Sequence, residues 1–141
     1  EAVADYDRVL VLHPRHLETL INRGRLHFAA DRFDAAEDDA AEALRLDAAN
    51  ARALCLRGLL AMARKEIDAA GRDFCAAIAA DPALADGWAN RATVHFKMGR
   101  FDAALADIDR ALALREDPDI RHNRGRILDA CAGKAARRAG S

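Results

Sequence analysis

A chain of 141 residues is long enough for one ordinary domain or a short array of repeats. Its 22 Lys and Arg against 23 Asp and Glu leave a net charge of −1, which argues against an electrostatic nucleic-acid binder or a polybasic membrane-surface protein. Apolar residues make up 52% but aromatics only 5%, with 35 Ala, 16 Leu, 8 Gly and 3 Pro, so the composition favours packed helices over an all-β fold.

The first predicted helix covers residues 1–12, with Ala2, Tyr6 and Val9 on one face, and stops near His13-Pro14. A second begins at Leu17 and carries Leu20, Gly24 and His27, whose offsets of four and three share one face. It breaks at Asp31-Arg32. A third follows with Ala36, Ala40, Ala43 and Leu44, ending near Leu46 before Asp47. The pair then returns as Leu54, Gly58 and Ala61, a break at Lys65-Glu66, and Ala70, Phe74, Ala77 and Ile78, ending near Ala80 before Asp81-Pro82. It returns again as Trp88, Ala92 and His95, a break at Gly99-Arg100, and Ala104, Ile108, Ala111 and Leu112, ending near Leu114. After Asp117-Pro118 a last helix, 119–131, carries Asn123-Arg124-Gly125. Gly99 suits a left-handed helix terminus and Asp31 tolerates one, while Lys65 suits it less. Asp34, Asp68 and Asp102 sit in first turns, where the helix dipole favours a carboxylate.

These columns recur every 34 residues: Ala2, Ala36, Ala70 and Ala104; Asp5, Asp39, Asp73 and Asp107; Phe33, Ile67 and Phe101. The period, the small residue at Gly24, Gly58 and Ala92, the Ala columns and the late Pro82 together resemble the tetratricopeptide repeat family. The resemblance implies an all-α, right-handed superhelical array of about eight helices over residues 1–131. It comprises a half repeat 1–16, full repeats 17–50, 51–84 and 85–117, and a half repeat 118–131 that returns one residue early. Residues 132–141 form a basic tail expected to fray. A start in mid-repeat reads as a piece excised from a longer array. Gly24, Gly58, Ala92 and Gly125 would let helices approach closely, with Phe28, Phe74, Trp88, Phe96, Leu105 and Leu112 filling the spaces.

Arg23, Arg57, Arg91 and Arg124 precede the small residue, and with the four Asp of the Asp5 column they suggest an ion-pair ladder. Pairing each Asp with the Arg of the following repeat, Asp5 with Arg23 and Asp39 with Arg57, uses all eight and is the expected scheme. Pairing within a repeat would leave Asp5 and Arg124 alone.

No catalytic constellation is visible, and no metal or nucleotide motif, so no cofactor is expected. His27 and His95 read as packing residues with one satisfied nitrogen, in the slot that the family usually fills with Tyr. Three Cys without a CxxC imply neither a disulfide framework nor a thiolate zinc site; a reducing, cytoplasmic setting is expected, with Cys75 buried. No apolar run reaches the ~18 residues of a transmembrane helix. The resemblance instead implies a non-catalytic interaction module, with a peptide or partner segment in a concave groove lined by first helices. Asn22, Asn90 and Asn123 hold the position at which similar arrays hydrogen-bond a peptide backbone; Leu56 takes it in the second full repeat. Arg25, Arg52, Leu59, Thr93, Lys97 and Arg126 complete that face. The two-carboxylate clamp of some members is absent, since Ile21, Arg25 and Asp86 stand at its positions. A structural spacer is the other reading, its end helices open to pairing with a second copy.

Overall fold

The computed structural model describes residues 2–13 and 16–140; Pro14, expected to end the first helix, lies outside them. Eight helices are present among the described residues: α1 (Ala2–Leu12), α2 (Leu17–Ala29), α3 (Phe33–Leu46), α4 (Ala51–Ala63), α5 (Ile67–Ala80), α6 (Ala85–Lys97), α7 (Phe101–Leu114) and α8 (Pro118–Ala139). The fold class is the expected one, all-α and built of helix hairpins. They form two compact units, residues 1–80 and 81–141. In the first, α1 packs on α2, α2 pairs with α3, and α4 packs on both while pairing with α5. In the second, α6 pairs with α7, and α8 packs on α7.

The turns explain why each hairpin closes where it does. Asp31, Lys65 and Gly99 all adopt positive φ, 60°, 62° and 75°. In each turn two bonds recapture helix-end carbonyls, Asp31 N–H to Phe28 O at 3.0 Å and Arg32 N–H to His27 O at 2.8 Å in the first. Lys65, which suits that conformation poorly by type, adopts it because the two bonds are made there as well: Lys65 N–H to Met62 O and Glu66 N–H to Ala61 O. The starts of α4 and α8 are capped by side chains: Asn50 Oδ1 accepts from Ala53 N–H at 3.0 Å, and Asp117 Oδ1 from Asp119 N–H at 2.8 Å, ahead of Pro118. The linker before α8, residues 115–117, is one residue shorter than 47–50 and 81–84.

Equivalent residues occupy equivalent surroundings. Ala36, Ala70 and Ala104 are each 0% exposed, as are Ala43, Ala77 and Ala111. Phe74 is fully buried, while Phe28, Trp88, Phe96, Leu105 and Leu112 are partly buried and packed on the core. A Cβ on Gly24 would stand 2.7 Å from Leu56 Cδ2, and one on Gly58 2.5 Å from Phe74 Cε1. Bare backbone is what admits those side chains.

Two sequence expectations change here. The charged ladder pairs within hairpins, not between successive repeats. Arg23 Nε and Nη2 donate to Asp39 at 2.9 and 2.5 Å, Arg57 to Asp73 at 3.0 and 2.8 Å, and Arg91 to Asp107 at 2.8 and 2.9 Å. Each Arg lies on a first helix and its Asp 16 residues on, across the same turn, so hairpin closure sets the two-pronged contact. Cys75 is exposed, because one helical step past Phe74 turns it out of the core. Residues 132–139 continue α8 as helix, their side chains mostly exposed.

Candidate functional site

In the first unit, the face expected to meet a partner is partly occupied by its own contacts. Asn22 Oδ1 accepts from Arg52 Nη2 at 2.9 Å, and Arg52 Nη1 lies 3.6 Å from Glu18 Oε1. Arg25 is exposed and Leu59 half-buried. Leu56 is not available to a ligand: it is 1% exposed. Its side chain fills the hollow left over the bare backbone of Gly24, an apolar demand that an Asn in the same column does not meet.

In the second unit the expected residues converge. Thr93 and Lys97 of α6 and Asn123 and Arg126 of α8 line a cleft of about 110 Å³ whose floor includes Ala92, Ile108 and Ile127. Phe96 forms one wall, and the Arg126 guanidinium lies 5.5 Å from its ring centre. Asn90 is half-buried but is not among the residues lining this cleft. The cleft combines an apolar floor with two cations, a hydroxyl and an amide. Of the clamp positions, Ile21 is buried, and Asp86 pairs with Arg115 at 2.8 Å.

A larger cavity, about 640 Å³, lies between α3, α4 and α5 of the first unit and was not anticipated from the sequence. Its lining includes Ala40, Leu44, Leu60 and Ala61 and the arginines Arg45, Arg57, Arg64 and Arg72, of which Arg45, Arg57 and Arg64 pair with Glu42, Asp73 and Glu37. The signal that could have found it is the small Ala40 on α3 beside the small Ala61 on α4.

His27 Nδ1 accepts from Arg32 Nε at 3.0 Å. His95 packs differently: Nε2 lies 3.5 Å from Asp107 Oδ2, while Nδ1 is buried with no hydrogen-bond partner. Burial pushes the His95 imidazole below its ordinary 6.5, and Arg91 and Arg100 add to this against the opposing pull of Asp107. Below 6.5 the unfolded chain then binds more protons than the folded one, so His95 makes stability fall as pH drops from 6.5 towards the lowered value and level off beyond it. His95→Phe is expected to flatten that segment of a stability profile recorded between about pH 7 and 5, read as the urea midpoint. A variant whose profile keeps the wild-type slope would contradict the assignment.

Among the described residues no helix is long and apolar enough to cross a membrane. Two family models described as tetratricopeptide repeat match the chain, one over residues 85–118 and the other over residues 1–49 and 21–85. No curated protein sequence matches it. Among solved structures it is similar to the first TPR of Spaghetti (RPAP3) bound to the HSP90 peptide SRMEEVD, at 20% identity, TM-score 0.75, and 82% and 95% coverage of this chain and that one. It is similar to the TPR domain of Arabidopsis OM64, at 22% identity, TM-score 0.71, and 80% and 94% coverage. It is also similar to MamA, at 20% identity, TM-score 0.65, and 99% and 90% coverage.

Proposed function

Because the chain belongs to the tetratricopeptide repeat family, we propose that it is a non-catalytic protein-interaction module that receives an extended peptide or partner segment in the cleft between α6 and α8. The observation that carries this reading is the convergence of Thr93, Lys97, Asn123 and Arg126 around an apolar floor. The Asn123 amide offers both a donor and an acceptor, which suits a peptide main chain of any sequence. A small apolar side chain suits the floor, and Lys97 and Arg126 favour a carboxylate beside it. Arg25, Arg52, Leu59 and the Asn22 and Asn90 amides extend the same kind of surface in their own units. The peptide-bound structure of Spaghetti supports peptide reception by this fold. Ile21, Arg25 and Asp86 at the clamp positions separate this chain from a two-carboxylate clamp. Cytoplasmic residence, resting on the cysteine count, belongs to the same reading.

The test is peptide selection from a random display library on the immobilised chain, followed by calorimetric titration of recovered peptides. Asn123→Ala is expected to weaken binding about tenfold, as one or two lost hydrogen bonds would. Lys97→Glu combined with Arg126→Glu should weaken acidic peptides further. Peptides held with wild-type strength by both variants would place the binding site elsewhere.

A further inference from the structure

The cavity between α3, α4 and α5 is set apart by residues that the repeat does not call for. Ala61 is small where the same column holds His27, His95 and Leu128. In the second unit that place is filled: His95 reaches to 3.5 Å from Asp107, the counterpart of the Asp73 that lines the cavity. Three of the four arginines are equally out of pattern. Arg45 shares its column with Val11, Ala79 and Ala113, Arg64 with Ala30, Met98 and Cys131, and Arg72 with Ala4, Asp38 and Ala106, so no other copy places a cation there. One lost side chain and three gained guanidinium groups thus meet at a single hollow of about 640 Å³.

The hollow has an apolar floor and a cationic rim. Leu44, Leu60 and Ala61 form the floor, which favours a bulky apolar group. Four cations face three carboxylates, Glu37, Glu66 and Asp73. The pairs of Arg57 with Asp73, Arg64 with Glu37 and Arg45 with Glu42 fix three of the cations in place ahead of any ligand. Arg57 uses Nε and Nη2 for Asp73 and keeps a side chain 53% exposed. Arg72 is exposed and forms no ion pair among the described residues.

We propose that this cavity is a second binding site, which takes a bulky apolar side chain from an acidic segment of a partner protein, with a carboxylate next to that side chain held by Arg72. A segment, and not a free acid, is the occupant because the cations stand on three helices, Arg45 on α3, Arg57 and Arg64 on α4, and Arg72 on α5. A lone carboxylate meets one of these groups, whereas acids on both sides of an inserted side chain meet several. The site shares no residue with the cleft of Thr93, Lys97, Asn123 and Arg126.

Amide NMR shifts of the isotope-labelled chain test this, with a probe peptide of one phenylalanine between two pairs of glutamates. Amides around Ala61 and Arg72 are expected to shift saturably, while those around Thr93 and Asn123 report the α6–α8 cleft separately. A peptide with lysines for the glutamates, or alanine for the phenylalanine, should leave the cavity amides unmoved. Ala61→Tyr restores the bulk that the family usually carries there and should abolish the cavity shifts, with helicity and urea midpoint retained. Arg72→Glu, at an exposed side chain, should weaken binding about tenfold. Cavity amides unmoved by the acidic peptide, equal shifts with the lysine peptide, or wild-type affinity in Arg72→Glu would each overturn the proposal. So would phenylacetate binding as tightly as the peptide, which would make the occupant a free acid. Shifts at the cleft without shifts at the cavity would sink this site and leave the reading of the cleft standing.

Discussion

Arg23→Ala is expected to cost the fold about 3 kcal/mol, because it strands a carboxylate that the hairpin has buried. Asp39 is 3% exposed and receives two guanidinium N–H bonds, at 2.9 and 2.5 Å. The reverse deletion is milder. Asp39→Ala leaves Arg23 with a side chain 24% exposed and a second partner, Asp7, at 2.9 Å, so about 1–2 kcal/mol is expected. The double variant should lose less than the sum of the singles, since the second removal no longer strands a charge. Arg57→Ala and Asp39→Ala share no contact, and their losses should add. Urea midpoints at pH 7 read all four. Additive losses at Arg23 and Asp39, with coupling between Asp39 and Arg57, would restore the between-repeat pairing that the structure excludes.

Phe74→Ala should be equally damaging, at about 3–5 kcal/mol, because the ring is fully buried and its loss opens a cavity that the neighbouring helices fill only in part. The converse change tests the same contact. Gly58→Ala drives a Cβ to 2.5 Å from the ring, which is buried and has nowhere to move, for an overpacking cost of about 1–3 kcal/mol. Phe74→Leu shortens the ring's reach, and Gly58→Ala should be better tolerated in that background than in the wild type. Equal cost of Gly58→Ala in both backgrounds would show that the glycine is needed for some other reason.

The places of the helices were legible because turn chemistry and the 34-residue period are local and repeated. Asp47, Asp81-Pro82 and Asp117-Pro118 mark the ends of second helices, and Ala36, Ala70 and Ala104 recur where packing admits only a small side chain. The partners of charged groups were less legible. An Asp on a second helix is equally a neighbour, in a column of letters, of the Arg before it and the Arg after it. Leu56 was misplaced for a similar reason: its column holds Asn in the other three repeats, and only its contact with Gly24 shows that it turns inward.

The candidate cleft was partly legible. Asn123 follows from the family resemblance, and Thr93, Lys97 and Arg126 from helical spacing around that column, but that they share one floor with Ile108 and Ile127 is a product of how α6, α7 and α8 pack. The sequence by itself determined the helices, their turns and the repeat, since these depend on backbone preferences and apolar spacing within about 34 residues. Tertiary structure alone decided which Arg meets which Asp, and that Leu56 and not Asn lies over Gly24. Those outcomes depend on distances between helices, and a side chain's partner is set by what the neighbouring helix brings within reach.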